Sequence, residues 1–195
     1  MSWLEIAGFV IGVITIFLAS KQNIVTFFLG LAYNGIFTVF LYLNHLYSSS
    51  ALHAVYCLIN IYGIFKWLGL FGLNGSKKVL TTSRLTNEQI GGLVTLILIA
   101  GTIWGYCVFR LSGIYPEIFS EPRYPLLDAC ITFSCITAQF LLTHKKIETW
   151  YAWIIIDVVK IWIYFSIATY LTGVLHIIYI LIAINAIREW RKEKI

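Results

Sequence analysis

Charge is scarce in this chain: of 195 residues only 12% are Asp, Glu, Lys or Arg, while 59% are hydrophobic and the mean hydropathy is +0.83. A soluble domain carries roughly twice that share of charge, and a disordered chain needs low hydrophobicity, so both are excluded. No stretch alternates polar and apolar residues at every second position over a strand's length, which argues against a membrane barrel. The four cysteines, Cys57, Cys107, Cys130 and Cys135, lack zinc-ligand or redox spacing and lie in apolar stretches, so burial without a metal or redox role is expected. A phosphate-binding loop of the G-x-x-x-x-G-K-[ST] type is missing, which leaves no direct ATP drive and implies no cofactor within the chain. A basic n-region is missing too, because Glu5 stands where it should lie, so the first apolar stretch is expected to stay in the mature chain. The three prolines, Pro116, Pro122 and Pro125, all sit in one short connection at 112–125, beside Glu117 and Glu121, where they are expected to cap the following helix.

What is present is apolar length. Spanning a bilayer takes about 20 apolar residues in a helix. Stretches at 3–20, 24–43, 51–70, 90–109, 126–143, 150–170 and 173–190 approach or exceed that length, which predicts an all-α integral membrane protein with seven transmembrane helices. The one long connection, 71–89, carries the turn formers Gly72, Asn74, Gly75 and Ser76 and reads as a solvated linker.

The formal charge of +5 is topological. Threading seven helices puts Lys21, Lys66, Lys77, Lys78, Arg84, Lys145, Lys146, Arg188, Arg191, Lys192 and Lys194 on one side, with Arg110 and Arg123 opposite and Lys160 inside a helix. The positive-inside rule then sets the amino terminus outside and the carboxyl terminus in the cytoplasm. With the basic residues so explained, no nucleic-acid partner is expected; the partners are the lipid bilayer and a small solute, and a homo-oligomer is left open.

The chain also repeats itself. A shift of 123 positions lays Leu52, His53 and Tyr56 on Leu175, His176 and Tyr179, and Trp67 on Trp190. The same shift pairs Leu4 with Leu127, Glu5 with Asp128, Phe17 and Leu18 with Phe140 and Leu141, Thr26 with Thr149, and Tyr47 with Tyr170. Residues 1–70 and 126–195 therefore read as three-helix repeats, and 71–125 as the cytoplasmic loop, a linker helix and an outer loop. An odd number of helices per repeat would invert the second copy; the single linker helix restores its direction and makes the repeats parallel. Carriers place substrate sites between such repeats, so that rocking one against the other exposes the site to each side in turn.

A charged side chain at the bilayer centre costs up to roughly 3 kcal/mol, so the polar residues inside the helices are informative. Trp150, Trp153, Asp157 and Lys160 fall at about 0, −60, −20 and −80 degrees around one helix, a single face. One reading makes Trp150 an interface anchor and has Asp157 and Lys160 neutralise each other at a three-residue spacing. The other makes the indoles a stacking platform for a flat or cationic ring, with Asp157 holding a polar substituent. The first repeat offers Phe27, Gly30, Asn34 and Phe37 at the matching positions. There Asn34 mirrors Asp157, and Gly30 either leaves room for the opposing indole or a ligand, or serves helix packing. Tyr33, Asn60, Tyr106, Gln139, Tyr179 and Asn185 complete the candidate substrate-binding set, since polar atoms in lipid must find partners or line water. His53 and His176 are the only pair that could serve an intramembrane enzyme, and structural or gating duty suits such lone histidines better than catalysis.

The run Lys145-Lys146-Ile147-Glu148-Thr149-Trp150-Tyr151-Ala152-Trp153-Ile154-Ile155-Ile156-Asp157, the following Tyr170-Leu171-Thr172 and the ending Arg188-Glu189-Trp190 resemble the PnuC family of bacterial vitamin transporters. The opening Trp3-Leu4-Glu5-Ile6 and Asn23-Ile24 fit the same pattern, so the resemblance covers nearly the whole chain. It implies a SWEET-like 3+1+3 fold and facilitated diffusion of nicotinamide riboside across the bacterial inner membrane, with phosphorylation inside the cell trapping the vitamin. The family's tryptophan pair falls on Trp150 and Trp153; some members follow the second with asparagine, where this chain has Ile154. Relatives that take thiamine or other vitamins, and a non-transport membrane receptor, are the alternatives. Receptor-like bundles of related build often carry Pro-Gln, and none of the three prolines here precedes glutamine.

Overall fold

The computed structural model describes residues 3–43, 47–70, 80–116 and 124–192, with side chains described from residue 9 in the first helix and from residue 49 in the third. Lys77, Lys78, Arg123 and Lys194, the turn formers Gly72, Asn74, Gly75 and Ser76, and Glu117, Glu121 and Pro122 lie outside the described residues.

Each apolar stretch is one helix: α1 (Trp3–Ser20), α2 (Val25–Leu43), α3 (Tyr47–Trp67), α4 (Asn87–Ile114), α5 (Pro125–Thr143), α6 (Glu148–Ser166) and α7 (Tyr170–Trp190). Four of them, α2, α4, α5 and α7, are long and apolar enough to cross a membrane, and α1 is apolar over Phe9–Ser20. His53 and Asn60 of α3 and Asp157 and Lys160 of α6 turn to the interior. Boundaries differ from the sequence reading by up to five residues: α4 runs from Asn87 to Ile114 where 90–109 is expected, and α7 starts at Tyr170 where 173 is expected. Helix α3 starts before residue 51, taking in Ser50, whose hydroxyl donates to the Thr38 carbonyl of α2 at 2.8 Å. Helix α6 stops at Ser166 because Ala168 adopts φ +57° and the Thr169 N–H turns back to the Tyr164 carbonyl, a left-handed helix stop.

Six helices pack in a closed order: α1 on α2, α2 on α3, α3 on α5, α5 on α6, α6 on α7 and α7 on α1. Helix α4 rests on α5 outside that ring. Its Gly101 and Gly105 are both buried, one turn apart, and let the two backbones approach: a Cβ on Gly101 would lie 2.7 Å from the Cys130 sulfur and 3.1 Å from its Cα.

Residues 123 positions apart repeat the same contacts. Thr26 Oγ1 donates to the Thr15 carbonyl at 2.9 Å and Thr149 Oγ1 to the Ala138 carbonyl at 2.8 Å. Gln22 and Lys145, equivalent residues in the α1–α2 and α5–α6 turns, take φ +53° and +49°. Phe27 meets Trp67 edge-to-face at 4.9 Å, and Trp150 meets Trp190 at 5.4 Å.

The described basic residues of the expected cytoplasmic group meet at one end of the ring. Lys21 pairs with Glu189 at 2.5 Å, Lys146 donates to the Arg84 carbonyl at 3.2 Å, and Lys66 donates to Tyr62, which contacts His144 at 3.2 Å. Burial holds the His144 ring below its ordinary pKa. The connection before α4 departs from the expected solvated linker over residues 80–86. Thr82 is buried, Ser83 exchanges backbone hydrogen bonds with the α5–α6 turn, and Thr86 caps α4 reciprocally with Gln89. Backbone groups at this end find protein partners in place of water. At the other end Pro125 opens α5 at its first turn, as expected of the proline-rich connection.

Close approach of α4 to α5 makes a test. Gly101→Leu is expected to lower stability in detergent by about 1–3 kcal/mol through overpacking. Gly91→Leu, facing open space on the same helix, should leave the melting temperature unchanged.

Candidate functional site

The ring encloses a cavity of about 730 Å³ lined by all six of its helices and by none of α4. Of the ten expected substrate-site residues, Tyr33, Asn34, Asn60, Gln139, Trp150, Trp153, Asp157 and Tyr179 line it. Tyr106 and Asn185 do not. Tyr106 is exposed on α4, outside the ring, and Asn185 lies on the exposed face of α7, so neither is kept as a cavity residue.

Two matched pairs set the polar geometry at mid-helix. His53 Nδ1–H donates to Asn34 Oδ1 at 2.8 Å, linking α3 to α2, and His176 Nδ1–H donates to Asp157 Oδ1 at 2.7 Å, linking α7 to α6. With Nδ1 donating, a neutral ring keeps Nε2 as an acceptor. An aromatic ring covers each imidazole: Phe37 stacks on His53 at 5.5 Å, and Tyr164 on His176 at 5.3 Å. Tyr56 and Tyr179, three residues after the histidines, meet them edge-on. The Asp157 partner is therefore His176, correcting the expectation that Asp157 and Lys160 neutralise each other; no ion pair joins them among the described residues. Lys160 lines the cavity beside Cys135 and Tyr164.

Asn60 is 2% exposed and accepts from Gln139 at 3.3 Å, tying α3 to α5, while its amide nitrogen donates to the Tyr56 carbonyl. The space over Gly30 is filled by this Asn60 amide, 2.7 Å from where a Cβ would stand, so Gly30 serves the α2–α3 contact and does not receive the opposing indole. On α1, Gly12 accommodates the Tyr179 hydroxyl in the same way.

The two indoles differ. Trp150 is 1% exposed, packed in the core against Trp190; Trp153 is half-buried and spans both buried clusters. Trp153 is thus the indole with area to offer a ligand, and Trp150 forms part of the floor. Two cavity residues carry a buried polar atom with no partner among the described residues: the Trp150 indole N–H, a donor, and Asp157 Oδ2, an acceptor. Leaving such groups unmet costs about 1–3 kcal/mol each.

The sequence reading left His53, His176, Tyr56 and Lys160 out of the substrate set. Their signal was the repeat itself: the shift that pairs His53 with His176 also pairs Asn34 with Asp157, so each imidazole has a polar mate at the same offset.

The family model described as nicotinamide mononucleotide transporter matches residues 2–192. The nicotinamide riboside transporter PnuC of Escherichia coli is 27% identical over 205 residues, covering 97% of this chain and 85% of that protein. The riboflavin/roseoflavin transporter RibM of Streptomyces davaonensis is 25% identical over 192 residues, covering 96% and 84%. A crystal structure of the vitamin B3 transporter PnuC superposes with a TM-score of 0.66 at 20% identity, covering 98% of this chain and 81% of that one, a likeness of fold.

The buried pair predicts an asymmetry between two substitutions at one site. Asp157→Ala strands the His176 N–H and should cost about 1–3 kcal/mol of stability. Asp157→Asn keeps an acceptor there, as Asn34 does for His53, and should melt within a few degrees of the parent in detergent.

Proposed function

The chain belongs to the nicotinamide mononucleotide transporter family, whose members include PnuC, and we propose that it takes up nicotinamide riboside by facilitated diffusion. Phosphorylation of the vitamin inside the cell then traps it. The fold is read as SWEET-like, 3+1+3, with 1–70 and 126–195 as parallel repeats and α4 as the linker helix. The protein sits in the bacterial inner membrane with its amino terminus outside and its basic end in the cytoplasm, in keeping with the positive-inside rule.

The observation that carries this reading is the cavity walled by six helices, with Trp153 at its side and with Asp157 and Trp150, whose Oδ2 and N–H have no partner among the described residues, in its lining. Its volume suits a ligand of nucleoside size. A pyridinium ring over Trp153 gains roughly 0.5 to 2 kcal/mol from the indole face, more where water is excluded. Ribose hydroxyls can donate to Asp157 Oδ2, and a carboxamide oxygen can accept from Trp150. Tyr33, Asn34, Asn60, Gln139 and Tyr179 complete the wall. Riboflavin is the second reading, favoured by the similarity to RibM; thiamine, a cationic ring as well, is the third.

A titration of purified protein with nicotinamide riboside, thiamine, riboflavin and a deoxynucleoside should rank nicotinamide riboside first. Affinity should then fall from parent to Trp153→Phe to Trp153→Ala, the last by roughly 1–3 kcal/mol or about five- to 150-fold. Trp162→Ala, on the exposed opposite face of α6, should bind normally. Equal affinity in a folded Trp153→Ala protein would assign the indole to packing alone.

A further inference from the structure

The cavity is shut at the basic end by a layer that both halves build alike. Trp67 Nε1–H, at the end of α3, donates to the Thr143 carbonyl at the end of α5 at 3.1 Å. Trp190 Nε1–H, at the end of α7, donates to the Ser20 carbonyl at the end of α1 at 2.9 Å. Each indole thus crosses from its own half to the other. Trp190 and Thr143 are fully buried, and with Phe27, Trp150 and Ile147 they seal the floor beneath Ala19 and Leu142. The lining reaches the α6–α7 turn at Ala168–Thr172 toward the opposite end, where Ile167 and Tyr170 are exposed.

One element of this seal has no symmetry mate. The segment 80–86 lies across both repeat-related turns. The Ser83 N–H donates to the Lys145 carbonyl at 3.1 Å, the Ile147 N–H donates to the Ser83 carbonyl at 3.1 Å, and Gln22 Nε2 donates to Thr82 Oγ1 at 3.3 Å. Gln22 and Lys145 are the equivalent residues of the α1–α2 and α5–α6 turns, so a single strand of backbone joins the two points that must separate if the halves part at this end. Lys146 adds a bond to the Arg84 carbonyl.

We propose that residues 80–86 are the clasp of the transport gate: the cavity opens to the basic end only when Ser83 leaves the 145–147 turn, and the two indole bonds break with it. The proposal rests on the carrier reading. Thr82, Ser83, Trp67 and Trp190 then act on the rate of opening, apart from the residues that hold the ligand.

Ser83 and Lys146 pair as neighbours in a parallel bridge, a geometry within disulfide reach. The test is the variant Ser83→Cys with Lys146→Cys in liposomes, oxidised and then reduced, against each single variant. Two quantities are read: nicotinamide riboside flux, and alkylation of the native Cys135, which lines the cavity, by a membrane-impermeant maleimide applied to the basic side. Oxidation should cut both rates about tenfold or more, as closing a rate-setting gate does, leave binding measured on detergent-solubilised protein unchanged, and be reversed by reduction. Equal Cys135 alkylation in the oxidised and reduced forms overturns the clasp whatever the flux. Absent nicotinamide riboside flux in the parent overturns the substrate reading instead, with Cys135 alkylation still deciding the gate.

Discussion

Hydrogen bonds that cannot be left to water organise this molecule. In hydrocarbon an unmet polar group costs several kcal/mol, so every polar side chain must find a partner inside the bundle or line a space that a polar ligand can enter. The chain meets that constraint twice over with one solution. Asn34 with His53 and Asp157 with His176 are the same contact in two copies, as are Thr26 with Thr15 and Thr149 with Ala138. Between the halves, Trp67 and Trp190 repeat the device across the seam.

Duplication and asymmetry have separate consequences. Matched contacts recur at the 123-residue offset in the two sets of three helices. Differences fall on the cavity wall, where the 123-residue shift matches Asn34 to Asp157 and Phe37 to Lys160. One side of the cavity is therefore neutral and aromatic, and the other carries a carboxylate, an ammonium and an unpaired indole N–H. On the proposed reading, this difference orients a ligand with a ring at one end and hydroxyls at the other. The clasp at 80–86 adds a second asymmetry, confined to the basic end.

Helix number, the repeat and the clustering of basic residues were legible in the sequence because each depends on periodicity or counting. Eight of ten candidate residues reach the cavity, and all eight lie on the ring helices. Tyr106 misled because polarity in an apolar run does not tell which way a helix faces: α4 packs outside the ring, and its phenol points away. Asn185 failed by angle alone, on a helix whose neighbours Ala183 and Ala186 are buried. Partner choice was hidden for a different reason. The three-residue spacing of Asp157 and Lys160 favours a local pair, but a histidine one helix away takes the carboxylate, and only tertiary packing decides between a near neighbour and a distant one. The glycines Gly101 and Gly105, four residues apart, carried a packing signal for the close contact of α4 with α5. The strap at 80–86 had no signal, since the bonds of Ser83 are backbone to backbone and Gln22 meets Thr82 from 60 residues away in the chain.

The central claim, that this cavity carries a vitamin between the two sides of a membrane, is tested most directly by counterflow. Liposomes holding only the purified protein are loaded with unlabelled nicotinamide riboside and diluted into a trace of labelled solute, with no ATP and no pH gradient. A transient accumulation of label that decays as the gradient runs down is the predicted result. No exchange through protein shown to be folded, or accumulation that appears only with a pH gradient, would contradict facilitated diffusion of this substrate.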